Sequence, residues 1–102
     1  MDIEHIRRKV LSKQFSIYRH AFTEAFKDGL SIEDILYTIL NGEIIEEYPE
    51  RTRCLIYAKL PSERPVHTVV DYGQEEVHIV TAYIPDPRKW INFRIRRLGG
   101  KR

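Results

Sequence analysis

Apolar residues recur at helical spacing through the first forty positions and then give way to alternation, so the chain divides into a helical part followed by a sheet. From about Ile3 to Ser12, the residues Ile3, Ile6, Val10 and Leu11 fall on one face behind Asp2, which can cap the helix. His5, Arg7, Arg8, Lys9 and Lys13 make the remainder basic. The apolar stripe is short and lacks an aromatic anchor, which predicts docking on a sheet and no membrane association. Ser16 is placed to cap a second helix, in which Ile17, Ala21, Phe22, Ala25 and Phe26 supply apolar surface until Asp28-Gly29 stops it. Ser31-Ile32-Glu33-Asp34 sets an acid three residues after a cap, a near relative of the capping box. Ile32, Ile35, Leu36, Ile39 and Leu40 then form a dense stripe, and Asn41-Gly42 offers a left-handed exit.

Beyond Gly42 the period falls to two and β-branched and aromatic residues multiply. Ile44 to Tyr48 reads as an edge strand, followed by Arg53 to Leu60, Val66 to Tyr72 and Val77 to Ile84. Pro85-Asp86-Pro87 breaks the ladder, because neither proline donates a backbone hydrogen bond, and Trp90 to Arg97 can resume it. Returns this short favour antiparallel neighbours. The expected architecture is an α+β domain over residues 1–98, with two or three helices packed on one face of a four- or five-stranded antiparallel sheet and a basic tail at 99–102.

Charge changes this picture more than composition does. Residues 1–50 hold 6 Lys/Arg against 10 Asp/Glu, whereas residues 51–102 hold 11 against 5. From residue 88 onward Arg88, Lys89, Arg94, Arg96, Arg97, Lys101 and Arg102 have no acid among them. Such an excess attracts a polyanion or an acidic protein, or else forms a solubilising tail. The single cysteine, Cys54, lies in a strand and reads as buried filler. With no apolar run near 18 residues and no basic-then-apolar leader, a cytoplasmic protein is expected.

Candidate chemistry starts with histidine, whose pKa lies near neutrality. His20 sits on the second helix, as a tether to the sheet or as a proton carrier facing a cleft. His67 and His78 occupy consecutive strands. If Val70 pairs with Val77, His67 opposes Val80 and both histidines share one face; a slip of one residue separates them. There is no His-x-x-x-His, no Cys-x-x-Cys and no glycine-rich phosphate loop, so neither a metal nor another cofactor is expected. RNA phosphodiester chemistry demands less: a base for the 2′-hydroxyl and cations for the phosphate. His20, His67 and Tyr83 are the candidates for the first task. Arg51 and Arg53, which share strand parity, together with Arg94 and Arg96, are candidates for the second. Tyr83 stands at a strand end as phosphate donor, stacking ring or packed aromatic, and Trp90 reads as packing or stacking.

Several segments together resemble one family. Ser16-Ile17-Tyr18-Arg19-His20-Ala21, Ile32-Glu33-Asp34-Ile35, Asn41-Gly42-Glu43-Ile44-Ile45-Glu46-Glu47-Tyr48-Pro49, Pro65-Val66-His67-Thr68-Val69-Val70 and Val80-Thr81-Ala82-Tyr83-Ile84-Pro85-Asp86-Pro87-Arg88-Lys89-Trp90 resemble the domain of unknown function 4258, in that family's order, over about residues 3–97. The matching residues are His20, His67, Tyr83 and Trp90; the usual arginine-glycine near the end of the second helix is replaced by Lys27-Asp28-Gly29. That family is more remotely similar to the RelE/ParE-like toxins of bacterial toxin–antitoxin systems, which place helices before a twisted antiparallel sheet. The resemblance implies a toxin-like protein that binds RNA or the ribosome, or a metal-independent endoribonuclease in which His20 or His67 moves a proton. The competing reading is a non-catalytic module whose basic strand captures an acidic or antitoxin-like protein, and fold alone does not choose a function.

Overall fold

In the computed structural model, which describes residues 1–98, three helices lie on one face of a five-stranded sheet. Helix α1 (Ile3–Leu11) is followed by a short strand β1 (Phe15–Ile17), then helices α2 (Arg19–Lys27) and α3 (Ile32–Asn41). Strands β2 (Glu43–Tyr48), β3 (Arg53–Lys59), β4 (Pro65–Asp71) and β5 (Val77–Tyr83) form an antiparallel meander, and two short strands, β6 (Trp90–Ile91) and β7 (Ile95–Arg96), form a separate hairpin. The sheet order is β1-β5-β4-β3-β2. The basic tail expected at 99–102 lies outside the described residues.

Local chemistry explains most of the helix ends. The Asp2 carboxylate accepts from the Glu4 amide, and Ser31 and Asp34 complete a reciprocal capping box at α3. Gly29, at φ 73°, takes the left-handed turn that ends α2. Gly42 does not take the left-handed exit expected of it. Its φ is −95°, and it is needed for closeness instead, since a Cβ there would clash with the Tyr57 carbonyl and stand 2.5 Å from that of Thr38. Arg7 of α1 seals the same junction. Its Nε and one Nη donate to the Ile39 and Gly42 carbonyls at 3.0 and 2.6 Å, placing a cation on the negative end of the α3 dipole.

The core between helices and sheet is built from Ile6 and Val10 of α1, Ala21 and Ala25 of α2, and Ile35 and Ile39 of α3. These pack on Cys54, Ile56, Val66, Val70, Val77, Ile79 and Ala82. Burial pushes the Cys54 thiol up to about 12, so it stays protonated and inert.

The structure departs from the sequence pattern at several further points. Ser16 does not cap α2: residues 15–17 pair in parallel with β5, Phe15 against Val77 and Ile17 against Ile79, and Tyr18 precedes the helix without a side-chain cap. The fifth strand therefore comes from the helical half, and the sheet is mixed. Phe22 and Phe26 do not enter the core, because the alanines of α2 lie against β5 and leave the phenylalanines 44% and 83% exposed. Leu11 likewise points outward. Finally, Trp90 to Arg97 does not resume the ladder; a tight turn through Asn92, Phe93 and Arg94 folds it into the hairpin. None of the described helices is long and apolar enough to cross a membrane.

Gly42→Ala should lower stability by about 1–3 kcal/mol, because backbone on both sides of the new methyl group cannot yield easily. The measurement is the urea unfolding midpoint, and an unchanged midpoint would contradict the tight α3–β2 junction.

Candidate functional site

The face of the sheet away from the helices carries its own small core. Register places Tyr57 of β3 opposite His67 of β4, and His67 opposite Tyr83 of β5, so three strands present a row of two phenols flanking one imidazole. This register differs from the Val70–Val77 pairing considered above. Val70 pairs with Ile79, and a bulge between Val69 and Val70 leaves Val80 as the extra residue of β5. His78 then opposes Asp71, at the far end of β4 from His67, and its Nδ1 meets the Tyr18 hydroxyl at 3.3 Å. The two histidines share a face without meeting.

The β6–β7 hairpin closes over this row. His67 is 0% exposed, with the Trp90 ring edge-on to it at 4.5 Å and the Tyr83 and Tyr57 rings at 5.4 and 5.9 Å. Its Nε2 lies 2.6 Å from the Phe93 carbonyl oxygen and its Nδ1 3.3 Å from the Tyr83 hydroxyl. A carbonyl can only accept, so Nε2 carries the proton; Nδ1 then accepts from Tyr83. Burial holds the His67 pKa below its ordinary value and raises that of Tyr83, which keeps the imidazole neutral and the phenol protonated. Neither ring nitrogen is free to take a proton from a substrate in this arrangement. Trp90, itself 4% exposed, packs rather than stacks on a ligand.

Around this buried centre lies a polar shell. Arg96 of β7 pairs with Glu46 of β2 at 2.9 Å, and its guanidinium covers the Trp90 ring at 4.5 Å. Burial acts to raise the Glu46 carboxyl, but hydrogen bonds from Arg96 and Tyr48 outweigh it and hold the group below its ordinary range. The same contact works the other way on Tyr48: burial and the Glu46 carboxylate push its phenol up to about 12. Arg94 pairs with Glu43 at 2.8 Å and lies over the Tyr57 ring at 4.9 Å. Arg88 pairs with Asp86 at 3.0 Å. Of the five described cations from residue 88 onward, Arg88, Arg94 and Arg96 are therefore paired with acids in space, while Arg97 donates to the Pro87 carbonyl.

Beside the hairpin, Tyr48, Glu50, Arg51, Arg53, Val69 and Arg96 line a shallow groove of about 350 Å³. Arg51 and Arg53 do not meet there through strand parity. Arg51 belongs to a 3₁₀ turn at Pro49–Arg51, and Thr52, in a left-handed conformation, separates it from the start of β3. Arg53 is loosely held. Its ion pair with Asp71 is 3.8 Å long, and that carboxylate already accepts from the Thr52 hydroxyl and the Gly73 amide, both at 2.9 Å. The buried Arg53 Nε has no hydrogen-bond partner among the described residues. Arg94 lines a separate recess with Asn41, Glu43 and Lys59.

The remaining candidate, His20, stands exposed in the first turn of α2, on the helical side of the sheet. His67 faces the other way, so the sheet itself separates the two. Of the residues grouped by sequence, His20, His67 and Tyr83 for the proton and Arg51, Arg53, Arg94 and Arg96 for the phosphate, the structure brings His67 to Tyr83 and Arg51 and Arg53 to Arg96, and leaves His20 and Arg94 apart; sequence reasoning missed Tyr57, Glu46 and Tyr48. Among the described residues, no three His, Cys, Asp or Glu side chains gather in a way that could hold a metal ion.

A family model described as a domain of unknown function (DUF4258) matches residues 17–84. The chain belongs to this family. The DUF4258 segment includes His20, His67 and Tyr83 but ends before Pro85, so Trp90 and the whole hairpin fall outside the matched residues, narrower than the resemblance over residues 3–97. No curated protein and no solved structure matches the chain.

The neutral His67 sets a pH dependence. A base whose folded pKa lies below its unfolded value, near 6.5, leaves stability intact above that value. Stability is lost as the pH falls from about 6.5 toward the folded pKa. The urea midpoint should therefore drop across this window in the wild type. His67→Gln should be less stable but lack that portion of the slope, and equal slopes in both proteins would contradict a neutral buried imidazole.

Proposed function

We propose that this DUF4258 protein is a toxin-like RNA-binding protein that takes the phosphate backbone into the groove between the 3₁₀ turn and the hairpin. The observation that carries the reading is the convergence of Arg51, Arg53 and Arg96 on one groove, with the Arg53 Nε lacking a hydrogen-bond partner among the described residues and facing the Asp71 carboxylate only at 3.8 Å. Guanidinium groups match phosphate oxygens with paired donors, and a buried donor without a partner gains most from an arriving acceptor. Glu50 on the groove wall sets the register by repelling phosphate from its own position. The helices-before-sheet layout suits the RelE/ParE-like assignment.

Binding is proposed for the closed form, not cleavage: His67 has no free nitrogen there and His20 lies across the sheet from the groove. A second reading, a module for an antitoxin-like protein, draws support from Phe22 and Phe26, which stand on the exposed side of α2 and line a shallow apolar surface with Thr23 and Lys27.

Two measurements separate these readings. Labelled single-stranded RNA should bind the wild type, and Arg51→Ala/Arg53→Ala should lower affinity on the order of tenfold at low salt. The double substitution should also flatten the plot of log affinity against log salt by roughly 0.7 for each phosphate that the protein no longer neutralises. Phe22→Ser/Phe26→Ser should bind RNA as the wild type does. Equal RNA affinity in the arginine variant, or a preference for polyglutamate over RNA, would overturn the proposed function.

A further inference from the structure

The hairpin is a cover that the chain supplies for itself. Its strands form a ladder only with each other, and it joins β5 through Pro85-Asp86-Pro87. It is fastened to the sheet by side chains and one carbonyl: Trp90 against His67, the Phe93 ring stacked on Tyr57 at 6.5 Å, the Phe93 oxygen on His67 Nε2, and the pairs Arg94–Glu43 and Arg96–Glu46. Those ion pairs are half-exposed, and pairs of that kind hold weakly. Ile91 and Ile95 face outward and add nothing to the docking. The turn is also strained, with Asn92 at φ 52° and Phe93 at φ 61°; asparagine tolerates that region and phenylalanine does not.

Beneath the cover, the Tyr57–His67–Tyr83 row presents ring surfaces and one outward N–H donor, His67 Nε2. The hairpin meets these with two flat rings and a carbonyl oxygen. A keto-bearing nucleobase carries a flat ring and a carbonyl oxygen in one group, and bases of single-stranded RNA are recognised by stacking on such side chains. Arg96 stands on the boundary, since it lines the phosphate groove, lies over the Trp90 ring and is retained by Glu46. A phosphate that takes Arg96 from Glu46 loosens the hairpin at the residue packed on His67.

We propose that Trp90 and Phe93 occupy a nucleobase site, and that single-stranded RNA entering the Arg51–Arg53 groove lifts the hairpin and sets a keto-bearing base against Tyr57, His67 and Tyr83. This rests on the groove being an RNA site. It makes the hairpin an internal competitor whose closed population lowers apparent affinity.

Trp90 is the single tryptophan of the chain and reports the step directly. The full-length protein is titrated with dye-labelled oligouridylate, following dye anisotropy together with Trp90 emission. The expected result is a rise in anisotropy with a red shift of the emission as the indole enters water. An abasic strand of equal length should bind more weakly and shift the emission less, because it loosens the hairpin without a base to hold it open. Glu46→Gln, which frees Arg96, should bind oligouridylate severalfold more tightly than the wild type. If RNA binds while Trp90 stays buried, or if Glu46→Gln binds no tighter, the base site is overturned and the groove reading survives. If no RNA binds at all, both fall together.

Discussion

A buried imidazole has two nitrogens, and both must be answered. Around His67 the answers come from different parts of the chain: the Tyr83 hydroxyl one strand away, and the Phe93 carbonyl from a hairpin outside the main sheet. The Phe93 bond determines how the second face of the sheet is closed. With it in place, Trp90 can pack edge-on to the ring, the Phe93 ring stacks on Tyr57, and the two arginines of the hairpin come within reach of β2. Without a carbonyl at that position, the buried N–H would be an orphan, at a cost of about 1–3 kcal/mol set against the aromatic contacts.

The two halves of the chain carry opposite charge, and the fold brings the opposing groups together. Glu43 and Glu46 lie on the outermost strand, which leaves an unpaired backbone edge, and acidic side chains on such an edge discourage pairing with other chains. The same acids draw Arg94 and Arg96 of the hairpin across the open face. Arg51 on its turn and Arg53 on its long pair with Asp71 are among the described cations that no internal acid holds closely. Along the chain the cations crowd toward the C-terminal end, whereas the buried guanidinium nitrogen without a hydrogen-bond partner among the described residues belongs to Arg53 at the start of β3.

Much of the fold was legible because its signals are local. The capping box at Ser31, the turn at Gly29, the stripe through Ile35 and Ile39 and the alternation through β3 to β5 each depend on residues a few positions apart. The errors arose where a distant partner decided the outcome. Phe15 to Ile17 carry no periodicity that distinguishes a helix start from a strand; the free edge of β5 makes them a strand. Phe22 and Phe26 share α2 with Ala21 and Ala25, and the closer approach allowed by alanine turned the phenylalanines outward. An Asn-Gly pair at a helix end signals a left-handed turn, but the role of Gly42 is steric, and only the positions of the Tyr57 and Thr38 carbonyls reveal that.

The candidate site divides in the same way. By itself the sequence determined that a helical segment precedes a β-rich one, that His20, His67 and Tyr83 lie in segments resembling DUF4258, and that basic residues gather near the end. These follow from residue type and spacing along one dimension. Tertiary structure alone decided that His67 is sealed and neutral, that the sheet stands between it and His20, and that Tyr57 and Tyr83 flank it. A β-bulge and a hairpin set those facts, through register and through side chains dozens of positions apart, and a strand register is a property of two strands that neither contains alone.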